Sequence, residues 1–106
     1  MDKTRLETLL KFLENNPKDF FARYGVAMEY AKYGETTKAV QEFRSLWEMN
    51  PDYIAAYFQA GKLLAQSGNP GAAREILLQG IEAAARTNNL HAKSEMEAEM
   101  EQLSSS

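Results

Sequence analysis

The chain contains no cysteine, and this absence excludes disulfides, thiolate metal sites and cysteine nucleophiles. The single histidine, His91, lies in a polar segment and has no cysteine to pair with. No apolar run approaches the roughly 20 residues that a membrane-spanning helix needs. The 12 lysines and arginines are scattered against 15 acidic residues, so there is no dense basic face for nucleic-acid phosphates. We therefore expect a cytoplasmic protein that is not an enzyme and has no metal, cofactor, nucleic-acid or membrane partner.

Proline and glycine are also scarce, at 3 and 6 residues, and such sparse punctuation favours long helices over many short strands. Start and stop signals divide the chain into about six helices. The predicted N-terminal capping residues are Thr4, which forms a capping box with Glu7, then Asp19, Asp52 and Asn69, and the third helix is predicted to begin at Thr36 or Thr37. The predicted helix ends are Asn16-Pro17, Gly34, Asn50-Pro51, Gly68, Arg86 and Leu103.

This punctuation recurs with a period of about 34 residues. The repeated pairs are Pro17 and Pro51, Gly34 and Gly68, and Ala39 and Ala73, and the apolar positions Leu9, Phe43 and Leu77 keep the same step. Ala27 and Gly61 also share one phase, so each copy offers a small side chain where two helices can cross closely. A two-helix unit of this length cannot bury its apolar stripe alone and must stack on its neighbours. The sequence therefore predicts an all-α array of helical hairpins.

The two copies resemble the tetratricopeptide repeat family. The matching positions are Val26-Ala27, Tyr30, Ala39-x-x-x-Phe43 and Pro51 in one copy, and Tyr57, Ala60-Gly61, Leu64 and Ala73-x-x-x-Leu77 in the other. Arg23, Gly80 and Ala85 depart from the family pattern. Because Ala85 replaces a closing proline, the fifth helix is expected to continue by a turn. Gly80 lies inside a helix, where it is unfavourable by about 1 kcal/mol relative to alanine, so we expect a tight backbone approach there.

The resemblance implies an α-α superhelix of right-handed helical hairpins that forms one domain over residues 1–106. The expected segments are a leading half-repeat helix at 1–16, repeat one at 20–53, repeat two at 54–87, a C-terminal capping helix at 88–103 and a frayed tail at 104–106.

The second predicted helix is apolar on two faces. One face, with Ala22, Val26, Ala27 and Tyr30, is expected to contact the partner helix of its own repeat. In the family the first helix of each repeat lines a concave groove. The resemblance therefore implies a groove lined by Phe21, Tyr24, Met28, Lys32, Phe58, Lys62 and Gln66. In the alternative, the leading helix covers Phe21 and Tyr24, which are then ordinary core residues.

The resemblance implies a noncatalytic module that binds a peptide or protein segment in this groove. Apolar side chains beside lysines suit a segment with apolar anchors and an acidic residue. A carboxylate clamp of the kind that some family members use is not expected, because Tyr24 and Met28 stand where its lysine and asparagine would fall. Self-association into a homodimer or larger assembly through the same apolar surfaces remains the alternative function.

Overall fold

The computed structural model describes residues 3–105, which form six α-helices and no strand. The helices are α1 Thr4–Asn15, α2 Phe20–Lys32, α3 Thr36–Met49, α4 Ile54–Gln66, α5 Pro70–Arg86 and α6 Leu90–Ser105. Each helix packs against the next one along the chain, and α4 also contacts α6. The short connections contain Gly34 and Gly68, whose positive φ angles of 78° and 82° favour glycine.

Two of the predicted N-terminal caps are confirmed. The Asp19 carboxylate accepts a hydrogen bond from the Ala22 amide at 2.8 Å, at the start of α2. Asn69 caps α5 by accepting from the Ala72 amide at 3.4 Å, and Pro70 occupies the first turn. Both caps satisfy an amide that has no partner within its own helix.

The prediction that Asp52 caps α4 is wrong. The helix begins at Ile54 with Tyr53 in the capping position and no side-chain cap. Within the 34-residue repeat, Tyr53 and not Asp52 is equivalent to Asp19. The Asp52 carboxylate instead lies 2.6 Å from a guanidinium nitrogen of Arg86, at the far end of the next helix.

The predicted limits of the terminal helices also need correction. Lys3 holds the N-cap position of α1, so Thr4 is the first helical residue and not the cap of a capping box. Helix α6 continues two residues beyond the predicted end at Leu103. Ser104 is helical and its hydroxyl donates to the Met100 carbonyl at 3.3 Å, so the helix extends into the segment that was expected to fray. The predictions for Met1, Asp2 and Ser106 lie outside the described residues.

Helix α5 shows the expected extension. It has 17 residues where α3 has 14. In the 34-residue register the last residue of α3, Met49, is equivalent to Ala83, so α5 continues for three further residues. No proline stops it, since Ala85 stands at the closing position.

The buried side chains form two clusters. The larger one joins α2 to α6 and contains Ala27, Ala39, Phe43, Leu46, Trp47, Ala56, Tyr57, Ala60, Ile76, Leu77, Ala83, Ala84 and Met96. The smaller one joins Leu6 and Leu13 of α1 to Ala22 and Val26 of α2. The prediction that Ala22 and Val26 face the partner helix of their own repeat is therefore wrong, because they pack on the preceding helix.

Two helical glycines lie at the predicted close approaches. A Cβ atom at Gly61 would stand 2.5 Å from a methyl carbon of Leu77. A Cβ atom at Gly80 would stand 2.7 Å from Cβ of Tyr57 and 2.5 Å from the sulfur of Met96. Since a Cβ atom moves only with its backbone, the approach at Gly80 leaves the least room for a larger side chain.

Candidate functional site

A groove of about 290 Å³ lies between α2 and α4, the first helices of the two hairpins. It is lined by Met28, Ala31 and Lys32 of α2, Phe43 of α3, and Gln59, Lys62, Leu63 and Gln66 of α4. Four of the seven predicted site residues line this α2–α4 groove: Met28, Lys32, Lys62 and Gln66. Phe43 belongs to the buried core, so the groove is built directly on the packed interior.

The two lysines of the α2–α4 groove have aromatic neighbours. The Lys62 ammonium lies 5.1 Å from the ring centre of Phe58, and the Lys32 ammonium lies 5.7 Å from that of Tyr33. Such contacts at an exposed site contribute about 0.5–1 kcal/mol. Within residues 3–105, neither lysine forms an ion pair with a carboxylate. Both positive charges are therefore available to an acidic group that enters the groove.

Tyr24 is half-buried and belongs partly to the core. Its ring lies 5.8 Å from that of Phe43, edge to face, and 6.0 Å from that of Tyr53. Burial raises the pKa of Tyr24, and a hydrogen bond to the Gln59 side chain opposes that rise. Tyr24 thus packs on rings of α3 and of the α3–α4 connection, whereas the core alternative placed it under the leading helix.

A second depression, the α1–α2 cleft, has a volume of about 250 Å³. It is lined by Arg5 and Leu9 of α1 and by Phe21, Tyr24, Gly25, Met28 and Glu29 of α2. Phe21 is 83% exposed, so the alternative in which α1 covers this ring is wrong. Met28 lines both the groove and the cleft, and Phe58 lines neither, being half-buried against the larger core cluster.

Comparisons with known proteins agree with this architecture. A sequence model described as tetratricopeptide repeat matches residues 30–94, which is more than half of the chain. The chain belongs to the tetratricopeptide repeat family. A solution NMR structure and a crystal structure of a tetratricopeptide repeat domain protein from Salinibacter ruber are similar to it. Their sequence identities are 31% and 30%, their TM-scores 0.75 and 0.73, and the matches cover 82% and 83% of this chain and 88% and 98% of those chains.

A Bordetella parapertussis protein with a solution structure shares the fold, with a TM-score of 0.82 at 22% identity over 98% of this chain and 90% of that one. No curated protein matches the chain in sequence. The predicted all-α array of tetratricopeptide hairpins is confirmed. Members of this family are generally protein–protein interaction modules.

His91, the single histidine, lines neither the α2–α4 groove nor the α1–α2 cleft. His91 is exposed on α6, with a ring nitrogen 3.4 Å from the Glu95 carboxylate. In the described part of the chain, no cluster of histidine and acidic residues could hold a metal ion. None of the helices within residues 3–105 is long and apolar enough to cross a membrane. Trp47 is buried and stacks on Tyr57 with ring centres 4.8 Å apart.

The prediction from sequence omitted several lining residues of the two depressions. These are Ala31, Phe43, Gln59 and Leu63 in the groove, and Arg5, Leu9, Gly25 and Glu29 in the cleft. The signal for Gln59 and Leu63 was present, because Gln59 lies three residues before Lys62 and Leu63 lies three residues before Gln66. No comparable signal marked Glu29, since a charged residue in a helix is ordinarily solvent-facing.

Proposed function

We propose that this tetratricopeptide module binds a segment of another protein in the α2–α4 groove, without catalysing a reaction. The segment inserts an apolar side chain between the helices and presents an acidic group to the lysines. The observation that supports this most directly is the pairing of apolar lining residues with two lysines that have no carboxylate partner within residues 3–105. We also expect the protein to act in the cytoplasm.

The chemistry of the groove supports this choice of ligand. Met28 and Leu63 offer apolar surface above the buried Phe43, and its removal from water favours binding by roughly 25 cal/mol per Å². Lys32 and Lys62 stand on opposite walls, one on each helix, so an acid between them meets two positive charges. Apolar contacts thus give affinity, and the lysines select the sign of the ligand charge.

A displayed library of random peptides tests this proposal. Selection on the full chain should enrich peptides with an acidic residue beside a large apolar one. The double variant Lys32→Ala/Lys62→Ala should bind the enriched peptides about tenfold more weakly or worse. The matched control is Lys11→Ala/Lys18→Ala, which removes the same charge at two exposed positions outside the groove. Equal weakening in both variants, or no enrichment over an unrelated helical protein, would contradict the proposal.

Self-association is the second candidate, and the exposed ring of Phe21 is the observation that favours it. An apolar surface of this kind is often covered by a protein partner. Light scattering across a wide concentration range distinguishes the two candidates. Under the peptide-binding proposal the mass stays near 12.0 kDa. A stable dimer that Phe21→Ser converts to monomer would favour assembly.

A further inference from the structure

The α1–α2 cleft and the α2–α4 groove occupy equivalent positions in the array. Four lining residues of the cleft have a counterpart in the groove exactly one 34-residue repeat later: Leu9 and Phe43, Gly25 and Gln59, Met28 and Lys62, and Glu29 and Leu63. In each case a residue of the preceding helix, Leu9 or Phe43, contributes to the lining. The two depressions are therefore successive subsites along the same face of the array.

The two subsites differ in charge at these equivalent positions. Where the groove has the cation Lys62 next to the apolar Leu63, the cleft has the apolar Met28 next to the anion Glu29. A ligand group that pairs with Lys62 therefore has the wrong charge for Glu29. The cation that lines the cleft, Arg5, lies on α1 with its side chain 69% exposed. At the position equivalent to Lys62 the cleft has Met28, and its acidic residue is Glu29.

Glu29 is the only buried charged residue among residues 3–105, with 7% of its surface exposed. Its Oε1 atom is buried and accepts no hydrogen bond from the described residues. Its Oε2 atom lies 3.6 Å from Nε of Arg5, beyond hydrogen-bonding distance, and the Arg5 side chain is 69% exposed. A buried carboxylate oxygen without a donor is unfavourable, and such atoms are uncommon in folded proteins.

We propose that the α1–α2 cleft binds a lysine or arginine side chain that is flanked by an apolar residue. The basic group donates to Oε1 of Glu29 and supplies the missing hydrogen bond. The apolar neighbour packs on Leu9, Met28 and the exposed ring of Phe21. An opposite charge with a directed donor is the group that an unpaired buried carboxylate accommodates best.

This inference rests on the proposed function, because Met28 lines both subsites and a bound segment would pass over it. Such a segment has a basic residue toward α1 and an acidic residue toward α4. The charges therefore determine the direction in which the segment lies across α2. A segment with the reversed charge order would bring its acid to Glu29 and its base to Lys62, and both contacts would be repulsive.

The test is an NMR titration of the full chain with acetyl-Leu-Arg-amide, and with acetyl-Leu-citrulline-amide as the uncharged isostere. The arginine peptide should cause saturable shifts of the Phe21, Gly25 and Glu29 amides, with about tenfold higher affinity than the citrulline peptide. Glu29→Gln, which removes the charge and retains the shape, should abolish this preference. Arg5→Ala should strengthen binding of the arginine peptide several-fold, because it removes an internal competitor for the carboxylate.

Equal affinity for the two peptides, an undiminished preference in Glu29→Gln, or no saturable shift at these amides would each overturn the inference. Far-UV circular dichroism of Glu29→Gln verifies that the variant is folded. A parallel titration with acetyl-Leu-Glu-amide, followed at Gln59 and Lys62, reports on the groove alone. Failure of that second titration would count against the proposed function, while the titration with the arginine peptide tests binding in the cleft separately.

Discussion

In the two tetratricopeptide hairpins, α2–α3 and α4–α5, different side chains donate hydrogen bonds to backbone carbonyls at equivalent positions. In the first, the Arg23 guanidinium donates to the Pro17 carbonyl at 2.8 Å. In the second, the Tyr57 hydroxyl donates to the Pro51 carbonyl at the same distance, 34 residues further along the chain. The repeat thus preserves a hydrogen bond and its length, although one donor is a cation and the other a neutral phenol.

The neighbours of these two donors differ accordingly. Arg23 lies 2.6 Å from Glu42, and both side chains are largely buried, at 19% and 24% exposure. The residue equivalent to Glu42 in the second hairpin is Ile76, which is buried in the apolar core. Tyr57 instead stacks on Trp47 with an interplanar angle of 9°. Arg23, which departs from the family pattern, is therefore paired with the acidic Glu42, whereas the second hairpin has an apolar residue at that position. This ion pair makes Arg23 compatible with the fold.

The hairpins also differ in the size of the side chain at one core position. Placing the larger side chain of the first hairpin in the second should give the largest loss of stability among the variants considered. Leu46 is fully buried in α3, while its equivalent in α5 is Gly80, which is crowded by Tyr57 and Met96. We expect Gly80→Leu to lower the free energy of unfolding by about 3 kcal/mol, because the added carbons have no space. Urea denaturation followed by circular dichroism measures this. The control is Gly71→Leu, where no atom lies within 4 Å of the added Cβ, and which should be neutral or stabilising. Similar results for the two variants would refute the close approach at Gly80.

The ion pair of the first hairpin gives the next prediction. Arg23→Met should lower the free energy of unfolding by about 2 kcal/mol, since it leaves the Glu42 carboxylate largely buried without its cation. The double variant Arg23→Met/Glu42→Met should recover part of this loss. Both are measured by urea denaturation as a double-mutant cycle. The exposed Asp52–Arg86 pair of the second hairpin is the comparison, and its removal should have a smaller, salt-sensitive effect. If the double variant is no more stable than Arg23→Met, the bond to Pro17 and not the ion pair explains the loss.

A third variant measures what the Tyr57 hydroxyl alone contributes to stability. Tyr57→Phe keeps the stack on Trp47 and removes the donor to the Pro51 carbonyl, so we expect a loss of about 1 kcal/mol in the free energy of unfolding. The loss stays small because Arg86 also donates to that carbonyl, at 3.4 Å. Thermal and urea unfolding should agree. A loss several times larger would mean that the ring packing also changes.

These comparisons also indicate which features could be predicted from sequence. The 34-residue period predicted the hairpins, because packing along a repeated backbone imposes the same spacing on each copy. The close approach at Gly80 was predictable because a glycine inside a helix is unfavourable unless a larger side chain has no room. Asp52 was assigned as a helix cap because local signals contain no information about Arg86, 34 residues away. The exposure of Phe21 depends on the position of α1 relative to α2, which a helical pattern does not define.

The final prediction concerns Glu29, whose equivalent in the second hairpin is Leu63. Glu29→Leu should raise the free energy of unfolding by about 0.5–1 kcal/mol, since an unpaired buried carboxylate oxygen is replaced by an apolar group. The same variant should lose the preference for arginine over citrulline peptides. A control, Glu14→Leu, changes an exposed acid on α1 and should leave both stability and peptide preference nearly unchanged. A gain in stability with a loss of selectivity would mean that the acid is retained for binding despite its unfavourable burial. A loss of stability would instead show that Arg5 and Glu29 together hold α1 against α2, and the binding role of the cleft would lose its support.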